Sequence, residues 1–255
     1  INDADQLLVM ASMDIPSVAS TVDRAIVRID NPGGVPTQTL IAKEGDELLP
    51  TRFVSDFETG PHEWSINNNG DVMYVADLTG DTATDFTVWR NGVLLAQEGS
   101  PSPITGRNWL TLSSFQNTQN NVGDYAFLGR LNGDIASDVL LVKNGVKYRQ
   151  EGDAVPGIPG FLITGFFSVG GGPIRMNDSG EILHFLDWDD PDTTKDTGLF
   201  LADTKLLQEG VSEIDGHVVR VINNGQDAFA MSSSGEYIIL ECSMYFAAED
   251  VVPEA

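Results

Sequence analysis

Asn67-Asn68-Asn69-Gly70-Asp71-Val72-Met73-Tyr74-Val75-Ala76-Asp77-Leu78 decides the fold, because a relative of this stretch returns along the whole chain. Ile1-Asn2-Asp3-Ala4-Asp5-Gln6-Leu7-Leu8-Val9-Met10 aligns with Ile66 to Val75. The unit recurs at Gly123-Asp124-Tyr125-Ala126-Phe127, Gly180-Glu181-Ile182-Leu183-His184 and Gly235-Glu236-Tyr237-Ile238-Ile239. From Asp5 through Gly70, Gly123, Gly180 and Gly235 the intervals are 65, 53, 57 and 55 residues. A second marker keeps the same beat: Lys43-Glu44-Gly45, Gln97-Glu98-Gly99, Gln150-Glu151-Gly152 and Gln208-Glu209-Gly210 are 54, 53 and 58 apart. Two markers on one period of this length imply one supersecondary unit per repeat.

Each unit reads as four short strands. Strand a follows the Gly-Asp or Gly-Glu turn. Strand b, at 86–90 or 139–143, runs into Asn91-Gly92 or Asn144-Gly145, a dipeptide suited to the positive φ angles of a type I′ hairpin. Strand c follows at 93–97 or 146–150 and stops at Glu-Gly. A Pro/Gly-rich connection such as Pro156-Gly157-Ile158-Pro159-Gly160 leads to strand d, for example 161–168. No segment carries a sustained 3.6-residue apolar period, so helix is expected to be minor. Four-stranded antiparallel units in tandem predict an all-β fold, a β-propeller of about four blades plus a fifth a-type strand, in preference to an open solenoid or a string of sandwiches. The expected layout is one domain over 1–255 with repeats near 1–65, 66–118, 119–175 and 176–230 and a partial one at 231–246.

Composition narrows the partners. The 255 residues hold 38 acidic and 14 basic side chains, a formal charge of −24. Nucleic acid and anionic membrane would meet a repulsive field. A hydrophobic fraction of 41% is too apolar for a disordered acidic tail, and no apolar run is long enough to cross a bilayer. The single cysteine, Cys242, excludes an internal disulfide framework, and alternation with Ile238, Leu240 and Met244 marks it as a small core residue. The chain starts at Ile1 without Met, which reads as processing or trimming.

The unit Asn67-x-x-Gly70-Asp71-Val72-x-Tyr74-x-Ala76 followed by Glu98-Gly99 resembles the bacterial secreted tandem-repeat family typified by N-x-x-G-x-[AV]-x-F-x-A. The resemblance covers almost the whole chain, is closest at Asn67 and Asn120, and weakens at Asn177 and Ser232, where His184 and Ile239 replace the aromatic residue. It implies a propeller displayed outside the cell, often held by a C-terminal sorting tail, with no established catalytic activity. Val252-Pro253-Glu254-Ala255 is similar to the start of a Pro-Glu-Pro sorting signal with Ala in the third place.

Candidate sites divide into repeated and unrepeated residues. Glu44, Glu98, Glu151 and Glu209 occupy one equivalent position, and an active site in a pseudo-symmetric array needs residues that differ between units. These carboxylates are expected to accept backbone N–H bonds beside a glycine of special φ. Gly80-Asp81 and Gly133-Asp134 open matching loops, and the fourth repeat carries Asp187, Asp189, Asp190, Asp192 and Asp196. Those five form the best candidate metal site, with calcium the expected ion, although Asx-turns account for the same residues. His62, Trp64, Arg107, Trp109, Trp188 and His217 are read as breaking the repeat. Of these, Trp109, Trp188 and Arg107 are the candidate ligand-binding residues, on condition that an indole face is exposed, since tryptophans also pack sheets. His184 replaces Tyr74 and Phe127 and is read as a core residue. No G-x-S-x-G, P-loop or H-E-x-x-H motif occurs, and Gly170-Gly171-Gly172-Pro173 lacks a phosphate-loop setting.

The function this predicts is a non-catalytic structural or binding module of a cell surface, matrix or fibre. Its partners would be surface proteins or glycans, or a second copy through strand pairing. The alternative is a carbohydrate-binding or carbohydrate-active propeller using loop carboxylates, which requires at least two non-repeated carboxylates about 5 to 9 Å apart in one pocket. Five a-strands, at 7–13, 72–78, 125–131, 182–188 and 237–244, serve four blades, so one is surplus and its edge needs a partner.

Overall fold

The computed structural model describes residues 2–12, 23–57, 64–112, 116–166, 173–223, 225 and 228–245. It is all-β with several antiparallel sheets, and Ile135–Ser137 is a short 3-10 turn. Two compact units are present, residues 1–148 and 149–255.

The first unit starts with a three-stranded sheet, Gln6–Ser12, Arg24–Asp30 and Thr37–Lys43. In the next sheet Arg52–Phe57 and Trp64–Ile66 share one side of Val72–Leu78, while Phe86–Arg90 and then Val93–Gln97 lie on the other. The third repeats this plan with Trp109–Thr111 and Asn117–Gln119 beside Tyr125–Leu131, followed by Val139–Lys143 and Val146–Gln150. Strands a, b and c thus fall where the repeat predicts. Strand d instead comes in two pieces, each paired with the same a-strand. Asn91 and Asn144, with φ of 50° and 52°, precede glycines that also have positive φ, as a type I′ turn requires.

Packing explains why the a-strands read as nearly continuous apolar runs. Val72, Tyr74, Ala76 and Leu78 face the first sheet's Leu8, Ile26 and Ala42 in one core cluster. The alternate residues Met73 and Val75 join Val88, Ala96, Trp109, Leu112 and Phe127 in another. A strand buried on both faces loses the polar half of its alternation, and each fully buried Val, Leu or Phe contributes roughly 1.5–3 kcal/mol. Gly129 is demanded by this packing: a Cβ there would lie 2.7 Å from the Trp109 ring and 2.8 Å from Leu112.

In the second unit, Ile163–Gly165 and Ile174–Met176 flank Ile182–Trp188, followed by Thr197–Leu201 and Thr204–Gln208. The predicted fifth a-strand does not run unbroken. It splits into Ile238–Leu240, paired with Phe229–Met231, and Cys242–Met244, paired with His217–Ile222. Its register also differs from the sequence alignment. Asn67 N donates to Asp71 O, whereas Ser232 N donates to Tyr237 O, a turn one residue longer. That residue changes which side chains face inward. Ile238 thereby takes the place of Val72, and Leu240, not Ile239, takes that of Tyr74. Leu240 and Cys242 pack on the core cluster of Leu183, Phe185, Val219 and Phe229, while Tyr237 and Ile239 are exposed.

Candidate functional site

The most heavily bonded polar feature is a line of asparagines at the N-x-x-G turns. Asn67 Oδ1 accepts from Asn69 N (3.0 Å) and Asp71 N (2.9 Å), closing its own turn. Its Nδ2 donates to Asp71 Oδ2 (3.0 Å) and to Asn120 O of the next sheet (2.8 Å). Asn2 Nδ2 likewise donates to Asn67 O at 2.6 Å. Side rungs reinforce the line, with Asp3 N on Asn68 Oδ1 and Asn68 N on Asn121 Oδ1, both at 2.8 Å. In the second unit Asp178 N donates to Ser233 O at 2.7 Å, and Gly235 must lack a Cβ because one would sit 2.4 Å from Asn177 Nδ2. Asn67, Asn120 and Asn177 are all buried. The sequence displays this asparagine in every N-x-x-G turn, but its reach into the neighbouring sheet was not read from it; the recurrence of an amide where any turn former would serve is the signal that could have revealed it.

Asp71 ties the same turn to the hairpin. It accepts from Asn91 Nδ2 (2.7 Å) and Arg90 Nη2 (2.9 Å), and Asp124 is held by Asn144 Nδ2 (2.7 Å). Burial pulls the Asp71 carboxyl upward, but Asn91, Asn67 and Arg90 outweigh it and leave the group below the ordinary carboxylate range.

Glu44, Glu98 and Glu209 accept backbone N–H bonds, but from residues distant in sequence rather than from the turn beside the following glycine. Glu98 Oε1 takes Leu112 N at 3.1 Å and Glu209 Oε1 takes Ile222 N at 2.8 Å, each stitching one sheet to the next. Glu44 Oε2 binds Asp23 N and Arg24 N of its own sheet. Glu44, Glu98, Glu151 and Glu209 are buried. Burial raises the Glu98 carboxyl, with Asp85 adding to the rise.

Arg107 does not break the repeat. It donates to Asn132 O (2.6 Å), Ser137 O (2.6 Å) and Asp134 O (3.1 Å), and Arg52 does the same work on Thr79 O (3.0 Å) and Thr84 O (2.8 Å). Both arginines hold the a-to-b loop by its carbonyls, which suit a rigid five-donor fork. Trp109 and Trp188 are buried at 3% and 2% exposure. Trp109 lies against Phe127 and Trp188 edge-on to Phe200, so neither offers an open face to a sugar. Both are core tryptophans because a sheet buried on both faces needs wide side chains to reach its neighbour. Trp64 and His217 are half-buried, whereas His62, residues 170–172 and residues 252–255 lie outside the described residues. His184 is fully buried and stacked with Phe200, and burial, aided by Arg149, depresses its ring to about 3, so it stays neutral.

The acidic loop is organised by bonds within itself and by one from Leu162. Asp189 Oδ1 accepts Leu162 N (2.7 Å), Asp190 Oδ1 accepts Asp192 N (2.9 Å), and Asp192 binds Thr194 Oγ1 and Lys195 Nζ, each at 2.7 Å. Asp187 is half-buried, and desolvation with the nearby Asp196 and Glu209 charges pushes it up to about 6. Among the described residues no group of three or more His, Cys, Asp or Glu is arranged to hold a metal ion. Asp81 and Asp134 accept from Ala83 N and Ala136 N at 3.0 Å, the Asx-turn geometry expected.

Against known proteins, a model described as "Family of unknown function (DUF7453)" matches residues 1–217. The chain belongs to this family. No curated protein and no solved structure matches it. The DUF7453 match spans Asn2, Asn67, Asn120 and Asn177 and all four Glu-Gly markers, and it ends before the partial repeat at 231–246.

Proposed function

We propose that this DUF7453 chain is a non-catalytic structural or binding module of an extracellular surface, matrix or fibre, its repeated sheets being blades of a β-propeller. One observation carries the reading: in several repeats the recurrent asparagine and glutamate are spent on joining sheets. Asn2 and Asn67 reach the next repeat's backbone, and Glu98 and Glu209 do so a strand later. An active site would need unrepeated polar groups gathered in one pocket. The cavity lined by Glu209 and Glu241 also holds only one carboxylate outside the repeat.

Asn67→Ala tests the coupling. It removes four hydrogen bonds from a buried site and is expected to cost about 2–4 kcal/mol in urea unfolding. Asn68→Ala, at an exposed rung, should cost well under half as much. Equal small effects would overturn the coupling. For the surface role, protease treatment of intact cells should remove the chain before cytoplasmic markers, and a panel of chromogenic glycosides should show no turnover. Turnover that disappears in Glu241→Gln would replace the module with an enzyme.

A further inference from the structure

The packed interfaces are not filled alike at one pair of equivalent positions, which Arg24 and Val54 occupy between the first and second sheets. Between the second and third sheets, Trp109 and the half-buried Phe86 occupy the core with Leu112 and Phe127. Register places Val219 where Trp109 stands, since they pair with Met244 and Leu131 respectively. It also places Thr197 where Phe86 stands, opposite Asp187 and Asp77. Two large rings are thus replaced by an isopropyl and a hydroxyethyl group. A cavity of about 400 Å³ opens there in the second unit.

Its lining has a definite chemistry. Phe185, Val221 and Ile222 form an apolar wall, and Thr197, Glu209 and Glu241 supply the polar groups. Thr197 Oγ1 is buried and has no hydrogen-bond partner among the described residues, an arrangement that favours a ligand able to reach it. Glu209 is 8% exposed, with one oxygen on Ile222 N. Asp187 and Asp196 lie close enough to Glu209 for their carboxyls to be raised by its charge. A site that combines a hydrophobic wall with carboxylates, in a chain of net charge −24, favours a cation carrying an apolar body.

We propose that this cavity is a binding site for a small organic cation, a ring-bearing primary amine, whose ring fills the volume left by the missing Trp and Phe and whose ammonium meets Glu209 and Glu241. The site goes beyond the scaffold reading, which turns on the asparagine line and stands whether or not the cavity binds. Cys242, the only cysteine, lines the same cavity and gives a direct readout.

Tryptamine is the probe, with indole-3-propionate as its anionic counterpart. Tryptamine should saturate with a Kd of roughly 0.1–1 mM by saturation-transfer NMR and slow maleimide labelling of Cys242, while the propionate does neither. Thr197→Phe, which restores the ring found at 86, should weaken tryptamine at least about tenfold with melting unchanged or raised. Glu241→Gln and Thr197→Val should each weaken it about threefold, and they decide the matter if Thr197→Phe fails to fold. Absence of saturation, equal binding of the propionate, or unchanged binding in the folded variants overturns the site.

Discussion

Val72–Leu78 and the broken pair Ile238–Leu240/Cys242–Met244 descend from one sequence unit and live under different constraints. The first has partners along both edges and is buried on both faces. The second has partner strands along one edge among the described residues and packs one face only. Apolar residues are similarly dense in both, so density alone does not say whether a strand is interior. What distinguishes them is the neighbour.

Breaking the comparison at its strongest point means truncating two positions that the sequence alignment equates and the strand register separates. Phe127→Ala, within the core of the third sheet, is expected to cost about 3–5 kcal/mol, whereas Ile239→Ala on the exposed face of the last strand should stay within about 0.5 kcal/mol. Urea midpoints of both variants check it, and similar losses would mean that Ile239 is covered.

Next in size is the backbone. Gly99 has φ of +74°, and a Cβ would lie 2.8 Å from Thr84 Cγ2 and 3.1 Å from Ala83 O. Gly99→Val should therefore cost about 1–3 kcal/mol through strain plus contact. Gly216, with φ of +80° and nothing near its missing Cβ, isolates the strain alone. Gly216→Ala should lower thermal stability by roughly 1 kcal/mol, and a larger loss than at Gly99 would contradict the close-contact account.

The smallest effect depends on pH. Asp187 is raised from 3.8 to about 6 in the folded chain, chiefly by burial. The folded state then binds more protons than the unfolded state across that interval, so stability falls as pH rises through it and the cost is complete above about 6. Asp187→Asn should stabilise the protein by about 1 kcal/mol near pH 8, after allowance for solvent screening, and by nothing near pH 3. Unfolding midpoints at both pH values measure it, and a gain that persists in acid would assign the effect to packing.

Much of the fold was legible because repetition multiplies weak signals. The strands at 72–78, 86–90, 93–97, 125–131 and 182–188 and the two Asn-Gly turns lie where the alignment put them. The two-piece d-strand was not legible, since three-residue segments such as Trp64–Ile66 are too short to show alternation. The inserted residue before Ile238 escaped for another reason: aligning Gly-Asp with Gly-Glu hides a change that only strand pairing exposes. At the candidate sites the sequence supplied residue types but not directions. Arg107 looked singular because Arg52 sits beside different neighbours, and the cavity at Thr197 was invisible because a cavity is defined by side chains that are missing.

The asparagine line has a consequence for how such a chain could lengthen. Asn67 receives a bond on its carbonyl from Asn2 and passes one on from its amide to Asn120, so these two junctions are alike. A unit duplicated between Asn2 and Asn67 would meet the same acceptor and the same donor that its parents met. At Ser232 the hydroxyl turns back to Ser234, and a copy added after it would find no amide to join. Growth by gene duplication is thus open in the middle of the first unit, and family members of different length are expected to differ by whole interior repeats.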